Sequence, residues 1–288
     1  MPLITVGVST YNRREYLRQS LDSLLDQTWR DYEIIVADDG SNDGTGEMMR
    51  QHYPGVKYFC KANGGDASAK NLIAEHADSR FLVFNDSDDL FYPTSLDMLV
   101  APLLEHPAGH CSYGQYVRID AQGRELETVQ KVRRFPSGRI LPHLLEHILV
   151  SGCGFMYPLE SFRRIGGFDT SMRVGHDYLF SLTMALDHQF HAMNAPVFQR
   201  RRHDGNLSGG SYEKIKLLCD MVETFCRQHA TAAGLDPKVV ARRLARYHTT
   251  LAREARREHR PRTLVQDHLR QSLELDFQMK TLLRRLFW

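Results

Sequence analysis

Four short apolar runs, each ending in a cluster of polar residues and each followed by a segment of helical periodicity, constrain this chain more than any other feature. Leu3-Ile4-Thr5-Val6-Gly7-Val8 has the length of a strand, and Leu17, Leu21, Leu24 and Leu25 then recur at helical spacing. The cycle repeats with a strand over Tyr32 to Ala37 and a helix after Gly44. A strand over Val56 to Cys60, a helix over Ala67 to His76 and a strand over Phe81 to Phe84 complete it. Such alternation is the pattern of βαβ units, and apolarity that is continuous rather than alternating predicts strands covered on both faces. The expectation is a doubly wound α/β sheet. A composition of 42% hydrophobic and 25% charged residues over 288 positions excludes a disordered chain or a disulfide mini-scaffold.

Further along, the pattern predicts a helix near Thr94 to Leu104, a strand near His110 to Val117 and a polar hairpin at Asp120 to Gly123. It then predicts a turn at Gly166 to Asp169, a helix over Asp177 to Leu186 and a strand near Val197. Beyond Gly210 it becomes wholly helical, with segments near 211–230, 236–258 and 262–286, and Pro237 and Pro261 stand near helix starts. Two regions follow, 1–210 and 211–288. Charge separates them: the second holds 16 basic and 9 acidic residues, while the whole chain is only +2. That small net charge argues against a dedicated nucleic-acid binder. Five widely spaced cysteines without a CxxC pair, no readable signal peptide and no apolar run of 18 residues point to a cytoplasmic protein.

In open α/β sheets ligands bind outside the carboxyl ends of the strands. Here those ends read Ser9-Thr10-Tyr11-Asn12-Arg13, Asp38-Asp39-Gly40-Ser41, Lys61-Ala62-Asn63-Gly64-Gly65 and Asn85-Asp86-Ser87-Asp88-Asp89. Asp86-Ser87-Asp88 is a DxD arrangement whose carboxylates lie within reach of one hard cation, magnesium or manganese, which would take further oxygens from a diphosphate. Asp38-Asp39 at the neighbouring strand end offers acceptors for a base N–H and ribose hydroxyls. Taken singly, each also reads as an ordinary acidic or Asx turn. Two acidic strand ends side by side are the rarer observation.

The opening TYNRREYLRQSLDSLLDQTWRDYEIIVADDGSNDGT, with NGGDASAKN and DSDDLFYP following in order, resembles the family 2 glycosyltransferases. The resemblance is close over residues 3 to 100, looser to about 208 and absent beyond. It implies a GT-A type, Rossmann-like nucleotide-diphospho-sugar transferase sheet, to which the C-terminal helices are an extension. It also implies a nucleotide-sugar donor, UDP-linked by preference, with Thr10, Tyr11 and Asn12 near the base, Asp39 on the base edge and Asp86 on the ribose. Asn63, Gly64 and Lys70, or Asn71 beside it, would approach the donor, and Asp88 the divalent cation. Gly175-His176-Asp177-Tyr178 resembles the family's ED segment, which makes Asp177 the general base and leaves His176 where an acidic residue is common. His203, in the run Arg200-Arg201-Arg202-His203, would reach the metal or diphosphate, and the arginines would pair with phosphate oxygens.

From these parts the resemblance implies an inverting, metal-dependent transfer to a glycan, lipid-linked or protein acceptor in surface-glycan or glycoconjugate synthesis. The only tryptophans are Trp29 and Trp288, so the QxxRW motif of processive synthases is absent, and transfer of one or a few sugars is expected. A stripe of Leu264, Val265, Leu269, Leu273, Phe277, Leu282, Leu283, Leu286 and Phe287, with basic residues available for another face, would suit peripheral contact with the inner face of the cytoplasmic membrane. It would equally suit packing on the protein itself. A non-catalytic sugar-nucleotide-binding or assembly module is the rival to an enzyme.

Overall fold

The computed structural model describes residues 1–106, 109–126, 135–147, 152–203 and 210–276. Strands β1 (Ile4–Thr10), β2 (Tyr32–Asp38), β3 (Lys57–Cys60) and β4 (Phe81–Asp86) alternate with helices α1 (Arg14–Leu25), α2 (Thr45–His52) and α3 (Asp66–His76). They form the parallel part of the sheet, in the order β3-β2-β1-β4. Every residue of β1 is buried, as its unbroken apolar run requires of a strand covered on both faces. Leu17, Leu21 and Leu24 turn the inner face of α1 onto the same core. The three turns of α1 are therefore held by burial of one stripe rather than by propensity.

Beyond β4 the sheet departs from the parallel arrangement expected. It adds β5 (Leu90–Phe91), β6 (His110–Ile119), β7 (Phe155–Pro158) and β8 (Gln189–Arg201), in the order β4-β7-β6-β8-β5. There β7 runs antiparallel to both β4 and β6, β6 and β8 are parallel, and β5 is antiparallel to β8. Helices α4 (Ser95–Glu105), α6 (Leu159–Ile165) and α7 (His176–Asp187) lie between these strands. Buried Gln27 fastens the stretch after β4. Its amide donates to the Tyr92 carbonyl at 2.8 Å and its Oε1 accepts from the Leu96 N–H at 3.1 Å.

The chain divides into two compact units: Met1–Ile140 with Leu149–Gly205, and Leu141–Ile148 with Asn206–Trp288. The second is helical, with α5 (Leu141–Glu146), α8 (Tyr212–His229), α9 (Pro237–Arg257) and α10 (Arg262–Leu275). The Asp236 side chain caps α9 by accepting from the Lys238 N–H at 2.8 Å, with Pro237 in the first turn. Small residues bring α9 and α10 together: Ser272 Oγ donates to the Ala245 carbonyl and meets Thr249 Oγ1, both at 2.9 Å. Arg242 pairs with Glu146 at 2.8 Å and so ties α5 to α9. The sequence places Leu141–Ile148 with the first region, but its contacts group it with the helices. Positions 277–286 of the last expected helix, and Phe277, Leu282, Leu283, Leu286 and Phe287 of its stripe, lie outside the described residues. Among the described residues no helix is long and apolar enough to cross a membrane.

Candidate active site at the carboxyl ends of the strands

Strand register brings the polar ends level. Thr10 of β1 stands beside Asp38 of β2, Ser9 beside Asp86 of β4, and Asp38 beside Cys60 of β3. Asn12 leaves β1 with φ 51°, a left-handed conformation that asparagine tolerates better than most residues. Its backbone N–H donates to Ser41 Oγ and its Oδ1 accepts from the Asn42 N–H, both at 2.8 Å, which locks the first loop to the second. Thr10 is buried, and its Oγ1 has no hydrogen-bond partner among the described residues. Tyr11, by contrast, is half exposed.

Asp39 is nearly buried, and both its oxygens are engaged by the third strand-end loop. Oδ1 accepts from Lys61 Nζ at 2.7 Å and from the Gly64 N–H at 2.9 Å, and Oδ2 from the Gly65 N–H at 2.7 Å. Gly65 sits at φ 89°, where a side chain would be strained, so the glycine is what lets two successive N–H groups face one carboxylate. Asn63 on the same loop is exposed.

Lys70 is buried between two acids, with Nζ 2.9 Å from both Asp66 Oδ2 and Asp86 Oδ1. Burial disfavours the ammonium, but the two carboxylates outweigh it and hold the Lys70 pKa well above the ordinary lysine value. Asp66 also accepts from Ser9 Oγ and lies 3.1 Å from His176 Nε2. Burial alone would raise Asp66, yet Lys70, then His176 and Ser9, keep its carboxyl well below the usual range. Lys70 is thus already balanced by protein charge. Asn71, the neighbouring candidate, is used structurally: its amide donates to the Phe168 carbonyl and accepts from the Phe168 N–H, both at 2.8 Å.

The DxD segment meets a residue 115 positions away. Asp88 Oδ2 lies 2.8 Å from His203 Nε2 and 2.8 Å from Arg13 Nη1, and both acidic and imidazole side chains are about nine-tenths enclosed. Next to it, burial and the charges of Asp86 and Asp88 push the Asp89 carboxyl well above its ordinary pKa. Arg13, Tyr16, Asp43 and His203, with Asn12, Arg14 and Glu15, line an open cavity of about 420 Å³. Asp177 occupies the first turn of α7, whose cap position is Gly175. Its Oδ1 accepts from the Tyr178 N–H at 2.8 Å and its Oδ2 from the Gly152 N–H at 3.2 Å. A methyl group on Gly152 would stand 3.4 Å from Lys70 Nζ and 3.5 Å from Asp177 Cβ, so the base candidate and the lysine flank one point.

Among the described residues no three His, Cys, Asp or Glu side chains are arranged to hold a metal by themselves. The Asp88–His203 pair nevertheless suits one. It brings a carboxylate oxygen and an imidazole nitrogen together at 2.8 Å, donor types that magnesium or manganese accepts, and such an ion would take its remaining oxygens from a diphosphate and water.

Of the arginine run, only Arg202 is exposed. Arg201 is 1% exposed and spends its guanidinium on protein oxygens, and Arg200 packs over the Tyr116 ring at 5.5 Å. The phosphate-pairing role expected of all three therefore does not extend to Arg201. Sequence reasoning gave no role to Arg13, Asp66 or Tyr16, and gave Arg201 a different one. Only the Asp66–Lys70 pair carried a signal, its i,i+4 spacing on a helix.

A half-parallel sheet with acidic strand ends level with one another, widened by antiparallel strands, defines the GT-A class of nucleotide-sugar transferase folds. The model of glycosyl transferase family 2 matches residues 5–166, and the chain belongs to that family. An uncharacterized glycosyltransferase of Rickettsia typhi is 32% identical over 180 residues, 62% of this chain and 57% of that protein. This chain therefore spans little more than half the length of that relative. Staphylococcus aureus TarS 1-349 in complex with UDP-GlcNAc superposes with a TM-score of 0.64 at 17% identity, covering 96% of this chain and 92% of that one. The mannosyltransferase PcManGT of Pyrobaculum calidifontis, in complex with GDP-Man and Mn2+, gives 0.61 at 18% identity over 97% and 88%. At such identities the likeness carries the fold alone.

Proposed function

We propose that the protein is an inverting, divalent-cation-dependent glycosyltransferase. It moves a sugar from a nucleotide-sugar donor, UDP-linked by preference, to a hydroxyl of a glycan, lipid-linked or protein acceptor in surface-glycan or glycoconjugate synthesis. The observation that carries this reading is the convergence of Asp88 and His203, from the ends of β4 and β8, beside the level acidic strand ends of a family 2 chain. Asp88 and His203 would hold a divalent cation, manganese or magnesium, which when bound would offset the negative charge that gathers on the leaving diphosphate, and Arg13 adds a positive charge beside Asp88. Asp39, held by Lys61 and the Gly64–Gly65 N–H groups, presents a fixed acceptor edge for the base, and Thr10, Tyr11 and Asn12 flank it. Asp86, Asn63, Gly64 and Lys70 complete the donor side.

Asp177 takes the proton from the acceptor hydroxyl. Its two backbone hydrogen bonds fix the carboxylate while leaving lone pairs for that proton. Attack from the side opposite the diphosphate inverts the anomeric centre and needs no covalent enzyme intermediate. The exposed Arg253, Arg256 and Arg257 on α9 suit peripheral contact with the cytoplasmic face of an anionic membrane, and nucleic acid has no place in the reading.

The test is nucleoside-diphosphate release from a panel of UDP-, GDP- and dTDP-sugars with Mn2+, Mg2+ or chelator, comparing wild type with Asp88→Ala. Release from one donor class that chelator and the substitution both abolish is expected. Neither release nor binding of any donor would leave only a structural module.

A further inference from the structure

Arg201 ends β8 with 1% of its surface exposed, which takes a permanent cation almost wholly out of water. Its side-chain partners are neutral oxygens rather than carboxylates. Nε donates to the Asp88 carbonyl at 2.9 Å, Nη1 to the Ala121 carbonyl at 3.0 Å and, longer, to that of Asp120 at 3.4 Å, and Nη2 to Gln19 Oε1 at 2.9 Å. The Arg201 backbone N–H donates to Asp89 Oδ1 at 2.9 Å. Two consecutive residues of the acidic segment are therefore tied to one arginine. The guanidinium carbon lies 5.0 Å from the centre of the Tyr16 ring, and that ring stacks on the His203 imidazole at 4.8 Å and 29°. Arg201, Tyr16 and His203 thus form one layered contact, and the backbone of Asp88 is bonded to the same arginine.

We infer that Arg201 is a positioning residue: it fixes the Asp88 backbone directly and the His203 ring through Tyr16, and so sets the carboxylate–imidazole spacing on which divalent-cation binding depends. The inference rests on the reading of Asp88 and His203 given under Proposed function. A buried cation without a carboxylate partner is costly to keep. A planar fork that reaches the Asp88 carbonyl, the 120–121 turn and Gln19 at once, while offering a flat face to an aromatic ring, is something lysine cannot copy. Packing alone would not require that fork, because an apolar side chain of similar size would fill the space.

The experiment is Mn2+ binding by isothermal titration calorimetry in the presence of UDP, together with donor kcat and KM. The proteins are the full chain as wild type, Arg201→Lys, Tyr16→Leu, Tyr16→Phe and His203→Ala. Arg201→Lys is expected to weaken Mn2+ binding at least tenfold. Because that variant can also unfold, Tyr16→Leu is the decisive one: it keeps Arg201 and all its hydrogen bonds and removes only the ring between it and His203. It should weaken Mn2+ binding at least fivefold and lower kcat, with a melting temperature within a few degrees of wild type. Tyr16→Phe, which keeps the ring, should recover most of the affinity lost in Tyr16→Leu. Wild-type Mn2+ affinity in Tyr16→Leu, where His203→Ala has lost it, overturns the positioning role alone. No Mn2+ binding by wild type, or none lost in His203→Ala, overturns the metal reading and the positioning role with it.

Discussion

Asp177 and the Lys70 cluster make predictions that belong to single side chains. In Asp177→Asn the shape is kept, but the amide cannot accept the acceptor's proton. The kcat is expected to fall roughly 10²–10⁴-fold, the usual worth of a positioned base, while the donor KM stays within about threefold. Initial rates of nucleoside-diphosphate release at saturating acceptor check this, and an unchanged kcat would remove Asp177 from the mechanism. Asp66 makes a second prediction. Its pKa is lower in the folded chain than the ordinary 3.8, so the stability it contributes is present above that value and is lost as pH falls below it towards the folded pKa. Lys70 is shifted upward, so its share is intact below about 10.5 and adds no acid sensitivity. Thermal melts from pH 6 to 2 should therefore fall more steeply for wild type than for Asp66→Asn. Parallel curves would show that the pair carries no pH-linked stability. These side chains also mark how far the site was legible. Strand-end carboxylates are visible in a sequence because their neighbours are apolar runs. Asp88 with His203 became a pair only through the family pattern. The link from Arg201 through Tyr16 was invisible, because an arginine in a basic run beside an expected diphosphate reads as a phosphate partner, and nothing in the sequence connects it to a tyrosine 185 positions away.

At the level of elements, the four parallel strands were readable to within two residues at each end; burial leaves an unbroken apolar signal in β1, most of β2 and β4, whereas β3, at the sheet edge, has no buried residue and so departs from the expected cover on both faces. In the other half only β6 was readable as closely, and the strand expected near Val197 marked no more than part of β8. Strand β5 is two residues long, and β7 is a four-residue run that gives no period. Strand β8 runs thirteen residues with register shifts against β6 and with half-exposed positions that break any alternation. Helix α6 escaped for a related reason: seven residues are too few to show a helical stripe. What fixes this half is partly side-chain clamping of backbone, and Asn71 is the clearest case. It reaches from α3 to bond both backbone groups of Phe168, in the turn that leads into α7 and hence to Asp177. Asn71→Ala leaves that N–H and C=O without their partner, at about 1–3 kcal/mol for a partly buried site. Chemical denaturation should show this loss, and kcat should drop more than donor affinity does, because the element displaced carries the base. A variant with wild-type stability and kcat would mean that the turn holds itself.

On the scale of the whole molecule, the division expected at residue 210 follows the change of composition, whereas contacts draw the line differently. Leu141–Ile148 belongs with the helices that follow residue 206, although some sixty residues of the first unit lie between them in sequence. The cause is chemical and local to the helical unit. Glu146 on α5 receives Arg242 Nη1 on its carboxylate at 2.8 Å and Arg246 Nη1 on its backbone carbonyl at 3.1 Å, so α9 provides both the counter-ion and a C-terminal partner for a helix of six residues. A helix that short has little stability of its own in water. Composition could not reveal this, because the residues that hold α5 lie about a hundred positions away in a run that reads as a basic face. A chain ended at residue 210 keeps α5 and removes both arginines that bond Glu146. Such a truncation is expected to melt several degrees below the full chain and to expose trypsin-sensitive sites around Arg139. A weaker version of the effect, about 0.5–1 kcal/mol for a partly exposed ion pair, is expected in full-length Arg242→Ala. If the truncated chain melts at the full-length temperature and resists trypsin equally, α5 stands without the helices and the boundary belongs where composition puts it.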